Sequence, residues 1–222
     1  MPEGEISTFF YMRTKKLYIF DLDGTLIDDM GFYKKIYSEN LERLVLEKHG
    51  EEGLRLVNLI REKNRGKGEL SLLVLGIPYQ EWFERVTDAD INLLAPKPEI
   101  TRAIGQLEGV RVVFTGTSKK LAERLLRRVG FKSEDFDEIV AHEQPAVVPL
   151  KLTADTLVFR YLLQKYGVEP HDAYMVGDEY EFDLLPAKML GIHTIEVRHK
   201  SGQADHFVEN IRDLPAYLTS IQ

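Results

Sequence analysis

The stretch Leu17-Tyr18-Ile19-Phe20-Asp21-Leu22-Asp23-Gly24-Thr25-Leu26 constrains this chain more than any other. An apolar run of this length, closed by a turn signal, suits a strand covered on both faces. It ends in two aspartates, a glycine and a threonine, and the carboxyl ends of such strands are where open α/β sheets bind ligands. Asp21 and Asp23 are two residues apart, so an extended backbone points them the same way. Close carboxylates repel unless a cation or a proton separates them. The plainer reading is a polar strand-to-turn junction with Asp-Gly as turn residues.

The motif Asp21-Leu22-Asp23-Gly24-Thr25 resembles the Asp-x-Asp-x-Thr that opens the haloacid dehalogenase-like (HAD) hydrolase superfamily. The resemblance implies an aspartyl-phosphate mechanism, with Asp21 as nucleophile, Asp23 as general acid and base, and magnesium beside them. Three further signals follow in the family's order. Val110-Arg111-Val112-Val113-Phe114 reads as a second buried strand ending in Thr115-Gly116-Thr117-Ser118. Thr115 aligns with the hydroxyl residue that holds the transferring phosphoryl group. Gly116 stands where many relatives carry Asn, and offers a backbone N–H that can approach closely. Thr117 or Ser118 then caps a helix from Lys119 to Val129, with Gly130 at its exit.

The third signal is the weakest. HAD enzymes place a lysine after a short segment like Asp137-Glu138-Ile139-Val140, to neutralise the phosphate and the nucleophile. The resemblance points to Lys151 by position, although the common Lys-Pro-x-Pro is absent and the spacing is about two residues short. The fourth is strong: Ala173-Tyr174-Met175-Val176 runs into Gly177-Asp178 and, after four more residues, Asp183. By resemblance Asp178 coordinates magnesium together with Asp21 and the main-chain carbonyl of Asp23. Asp183 supports that metal through a bound water or by orienting its neighbours.

Between the first and second signals the pattern changes. Ile36, Leu41, Leu44, Val45, Leu54, Val57, Leu59 and Ile60 recur at helical steps, punctuated by Gly50, Gly53, Gly66, Gly68 and Gly76-Ile77-Pro78. A further helix from Tyr79 presents Trp82, Phe83 and Val86, and Pro96-Lys97-Pro98 is a stiff connector back to the main domain. This insert resembles a C1-type cap. The expected fold is therefore α/β, a Rossmann-like parallel-sheet HAD core of residues 16–28 and 99–222 with a helical cap of 29–98. Residues 1–15 read as an N-terminal extension. Phe32, Tyr33 and Tyr37 are either cap core or the lining of a pocket for a ring-bearing leaving group.

Composition narrows the classes. Hydrophobic residues at 44% and charged residues at 29% are an ordinary globular balance. A net charge of −7 disfavours a nucleic-acid polymer as partner. No apolar run approaches a membrane span, no basic leader opens the chain, and the absence of cysteine removes disulfides, thiolate metal sites and thiol nucleophiles. The six histidines form no short-spaced ligand set, against zinc. These features suit a cytoplasmic enzyme.

The function expected from the resemblance is a magnesium-dependent phosphatase acting on a small phosphate monoester. Residues Val86 to Pro98 loosely resemble the pyrimidine 5′-nucleotidase-like branch, which implies a nucleotide or a sugar phosphate. Alternatives are a phosphomutase, a haloacid dehalogenase, or a non-catalytic HAD-fold binding protein. Asp23 argues against dehalogenation, since dehalogenases of this superfamily lack the second acid. Retention of Asp21, Asp23 and Asp178 argues against a binding protein. Oligomeric state is not legible.

Overall fold

The computed structural model describes residues 15–64, 68–142 and 156–221. Its centre is a six-stranded sheet of order β3-β2-β1-β4-β5-β6, every pair parallel. The strands are β1 (Leu17–Phe20), β2 (Val110–Ser118), β3 (Glu138–His142), β4 (Ala173–Gly177), β5 (His193–Val197) and β6 (His206–Val208). The helices are α1 (Met30–Tyr33), α2 (Glu39–Lys63), α3 (Ser71–Val74), α4 (Tyr79–Thr87), α5 (Pro98–Gly105), α6 (Lys119–Val129), α7 (Leu157–Tyr166), α8 (Leu185–Lys188) and α9 (Leu214–Ser220). This is the Rossmann-like α/β class that the sequence implies.

The alternation of β1 explains its two covered faces. Leu17 and Ile19 enter one apolar cluster with Phe159 and Leu162 of α7 and Ala187 of α8. Tyr18 and Phe20 enter the other, with Ile104 of α5, Leu125 of α6 and Leu218 of α9. Phe114 and Phe159 meet edge to face at 5.6 Å, anchoring α7 to the sheet.

Register fixes the level of the strand tips. Phe20 lies opposite both Val113 and Val176, so the residues that follow each strand emerge together on one edge. The chain steps outward from β1 through β2 to β3 and then returns to β4 on the other side of β1. That reversal is the switch point at which open α/β sheets form a ligand crevice. Between Phe114 and Ser118 the pairing of β2 with β3 shifts, an irregularity that bends the strand end carrying Thr115, Gly116 and Thr117.

The cap of α6 agrees with its sequence: Ser118 Oγ accepts from Leu121 N at 3.2 Å, and Gly130 ends the helix with φ 112°. Gly50 and Gly53 both look like punctuation in the sequence. Gly50, with φ 61°, does break α2. Gly53 stays helical, and glycine is needed there because a Cβ would lie 2.6 Å from His49 Cβ and 2.8 Å from Val45 Cγ1. The strands β5 and β6 have no counterpart in the sequence reading. Among the described residues no helix is long and apolar enough to cross a membrane.

Phe159→Ala removes a fully buried ring from the α7 side of the sheet and is expected to lower stability by about 3–5 kcal/mol, read by chemical denaturation.

Candidate active site

The turn after β1 is closed by two backbone bonds, Ile27 N to Leu22 O at 2.9 Å and Gly24 N to Ile27 O at 2.7 Å, while Asp21 N donates to Val176 O of β4 at 2.9 Å. Asp21 is thereby held at the tip of the central strand and is 1% exposed. Gly24 has φ 92°, and a Cβ on it would fall 2.3 Å from Asp178 Oδ2. Both the left-handed backbone and the missing side chain are needed for the two loops to meet.

Asp21, Asp178 and Asp183 each offer a carboxylate oxygen, and these oxygens lie within 4.8 Å of one another. Asp183 is fixed in turn by Glu179 N, which donates to its Oδ2 at 3.0 Å. Gly177 makes room for it, since a Cβ there would come within 2.5 Å of Asp183 Oδ2. Three unit charges this close repel by about 1 kcal/mol per pair in water and several times more in a partly buried site. An all-oxygen carboxylate set is the donor chemistry that hard divalent cations take.

One cation is already nearby. Arg198, directly after β5, donates from Nη2 to Asp178 Oδ2 at 2.9 Å. It is the one non-glycine residue with positive φ among those described, at 65°. Such a conformation carries strain that the surroundings must hold in place.

Asp23 lies outside the carboxylate trio. Its Oδ2 accepts from Tyr37 Oη at 3.3 Å and from Thr115 Oγ1 at 3.4 Å. Tyr37 Oη is also 3.1 Å from Thr117 Oγ1, and Thr117 N donates to Thr115 Oγ1 at 3.1 Å. Tyr37 is on a wide helical turn, Lys34–Ser38, a form enriched at functional sites. Burial and then the charge of Asp23 hold the hydroxyls of Tyr33 and Tyr37 well above the ordinary tyrosine range, so both remain protonated donors. Tyr33 Oη donates to Ile27 O at 2.9 Å.

A cavity of about 320 Å³ opens above these groups, with Asp23, Gly116 and Asp178 at its floor and Tyr33, Tyr37, Tyr79, Trp82 and Phe83 in its walls. Thus Asp21, Asp178 and Asp183 converge, Asp23 turns instead to Thr115 although an extended backbone would point it the same way as Asp21, and Gly116 lines the same cavity. Lys151 lies outside the described residues. Of the three aromatics left open, Phe32 is in the core, while Tyr33 and Tyr37 reach the cavity.

Residues 15–191 match the family model described as haloacid dehalogenase-like hydrolase. The chain belongs to that family. Curated relatives of the HAD chain include a glyceraldehyde 3-phosphate phosphatase of Methanocaldococcus jannaschii, 25% identical, with 85% of this chain and 89% of that protein covered. A fructose-1-phosphate phosphatase, YqaB of Escherichia coli, is 27% identical over 81% of this chain and 95% of its own. Among solved structures, CbbY from Rhodobacter sphaeroides in complex with phosphate superposes with a TM-score of 0.63 at 20% identity, covering 90% of this chain and 96% of that one, which attests the HAD fold.

Two contacts at the site escape the sequence. Arg198 could have been flagged by the β-branched run His193-Thr194-Ile195-Glu196-Val197, a strand signal whose carboxyl end it occupies. The meeting of Tyr37 with Thr117 spans 80 residues and leaves no local trace.

Gly24→Ala is expected to push Asp178 out of the trio. Calorimetric titration with a divalent cation, magnesium as the probe, should show an affinity at least about tenfold below that of the wild type, with an unchanged circular dichroism spectrum.

Proposed function

We propose that this HAD chain is a magnesium-dependent phosphatase that hydrolyses a small phosphate monoester, a sugar phosphate or a nucleotide, through an aspartyl-phosphate on Asp21. The observation that carries the reading is the pair of aspartates with separate surroundings: Asp21 within a carboxylate trio, Asp23 beside hydroxyl donors. The phosphatase names of the curated relatives support it.

Asp21, Asp178 and Asp183, with the main-chain carbonyl of Asp23, would hold the magnesium, whose charge offsets that of the phosphate and of the nucleophile. The carboxylate of Asp21 attacks phosphorus in line with the ester oxygen, and the bond from phosphorus to that oxygen breaks. Asp23 gives the leaving oxygen its proton, and the alcohol departs. Asp23 then takes a proton from water, which attacks the acyl phosphate and returns Asp21 with inorganic phosphate. Thr115, the N–H of Gly116 and Lys151 bind the phosphoryl oxygens in this scheme. Tyr37 and Thr115 keep Asp23 turned toward the leaving group rather than toward the trio.

In the same reading residues 29–98 form a cap over a core of 16–28 and 99–222, and the chain crosses between them twice. Lys97 Nζ and Asp28 Oδ1, one on each crossing, pair at 2.8 Å. From the other side Arg124 of α6 donates to the carbonyls of Thr87 and Ala89 at 2.6 and 2.8 Å, fastening the end of α4. A cap so tethered excludes water while it surrounds the substrate. The cysteine-free, acidic composition suits a cytoplasmic setting.

The test is phosphate release from a panel of phosphate monoesters with and without magnesium. Release is expected in the wild type, lost with a chelator and restored by magnesium. Asp21→Asn should abolish it. No release from any ester by the metal-loaded protein would refute the assignment. Tyr37→Phe, which keeps the ring and removes the bond to Asp23, is expected to lower kcat by about tenfold to a hundredfold, from the worth of a hydrogen bond to a charged group. Steady-state kinetics on the best ester reads this out.

A further inference from the structure

The cavity has two unlike halves. Its floor is charged and polar, with Asp23, Asp178 and Thr117. Its far wall is largely aromatic, with Arg61 and Glu69 also in the lining. Tyr79 and Trp82 meet edge to face at 5.2 Å, Tyr37 and Trp82 are 6.2 Å apart and inclined by 53°, and Tyr33 stacks on Tyr37 at 5.8 Å.

Several polar atoms of that wall are engaged within the protein. Trp82 Nε1 donates to Tyr37 O at 3.3 Å, and Thr87 Oγ1 donates to Ser118 Oγ at 2.8 Å. Tyr33 Oη is bonded to Ile27 O. Arg61 is paired with Glu42 and also reaches Ser38 O at 3.4 Å. A triose or hexose phosphate carries several hydroxyls, each of which leaves water on entry and needs a partner inside. Donors and acceptors that already serve one another in this way repay few of them. The wall does offer ring faces, on which a flat unsaturated group stacks without needing hydrogen bonds.

We propose that the leaving group taken by this pocket carries a flat unsaturated ring, either a nucleobase or an aryl group, seated against Tyr37, Tyr79 and Trp82 while its phosphate lies over Asp21 and Asp23. This departs from the sugar phosphates named for the relatives, and it rests on the phosphatase reading for the identity of the reacting end. A cavity of about 320 Å³ is at the small end of ligand pockets, which suits one such molecule rather than a polymer.

Trp82 is the chain's only tryptophan, so the wall reports on its own occupancy. The first arm titrates the magnesium-loaded wild type with phenylphosphonate and with methylphosphonate, neither of which can be hydrolysed, and follows Trp82 emission. Phenylphosphonate is expected to bind at least about tenfold more tightly. Equal affinities would overturn the proposal.

The second arm compares kcat/KM for phenyl phosphate, uridine 5′-monophosphate, glyceraldehyde 3-phosphate and fructose 1-phosphate. The ring esters are expected to lead, and whichever of the two is faster tells an aryl group from a nucleobase. Equal or faster hydrolysis of the sugar esters refutes the ring and leaves the phosphatase reading in place. No release from any ester, with phenylphosphonate still preferred, refutes the phosphatase and keeps the ring pocket. If neither release nor preference is seen, both fall.

Tyr79→Leu, at a half-buried wall position, should lower the ratio of ring-ester to sugar-ester kcat/KM by about tenfold. An unchanged ratio in a folded variant counts against the proposal. Should that variant not fold, the phosphonate comparison on the wild type decides alone.

Discussion

Mutual repulsion among Asp21, Asp178 and Asp183 is the constraint around which the rest of the molecule is arranged. Three carboxylates within 4.8 Å do not stay together by their own attraction. The sheet imposes the arrangement. Parallel pairing in one register sets the tips of β1 and β4 side by side, and each tip is followed at once by an acid. Gly24 and Gly177 remove the side chains that would hold the loops apart. Opposing terms of this kind are affordable because β1 is buried on both faces, so sheet and helix packing support a local arrangement unfavourable in itself. Arg198 belongs to the same balance: its left-handed backbone and its pairing with Asp178 set a fixed positive charge against part of the excess negative charge.

Asp23 is handled in the opposite way. It follows Asp21 by two residues, and yet the turn takes it away from the trio to Tyr37 and Thr115. Two acids two positions apart thereby acquire different electrostatic surroundings, which is the general condition for giving them different chemical roles. Tyr37 comes from the helical segment between β1 and α5, whereas Thr115 comes from the bent end of β2. The surroundings of Asp23 are complete only when that helical segment is folded down onto the sheet. In the proposed reading, substrate enclosure and the setting of Asp23 as the acid would thus depend on one and the same packing.

Much of this was legible in the sequence because it is local. The apolar run into Asp21, the Gly-Asp at Asp178 and the hydroxyl at Thr115 are each a strand followed by a tip, and a few consecutive residues fix such a unit. The ends of α6 were legible for the same reason, since Ser118 and Gly130 act within a single turn. Long-range contacts were not. Tyr37 meets Thr117 across 80 residues, and Arg198 meets Asp178 across 20, so neither pair has a spacing that a pattern could recognise. The strands β5 and β6 escaped because His, Glu and Phe interrupt their β-branched residues, and β6 has only three residues. Gly53 shows the converse error. As a residue it signals a break, but the crowding of His49 and Val45 makes it the small residue that the helix requires.

The contrast between floor and wall says how such a fold can change substrate while keeping its chemistry. The floor is built from strand tips, whose positions the sheet register dictates, so the groups facing the phosphate have little freedom to move. The wall is built from Tyr33 and Tyr37 near the start of the insert and from Tyr79, Trp82 and Phe83 on α4. Those side chains are held largely by packing and by bonds within the wall, such as Trp82 Nε1 to Tyr37 O. In the proposed reading, replacing a wall residue would therefore alter which leaving group is stabilised without altering the charges of the carboxylate trio. The clearest exception is Tyr37. It lines the wall with its ring and bonds Asp23 with its hydroxyl, so a change there touches recognition and proton transfer together. Selection for a new leaving group would accordingly meet least resistance at Tyr79 and Phe83, and most at Tyr37.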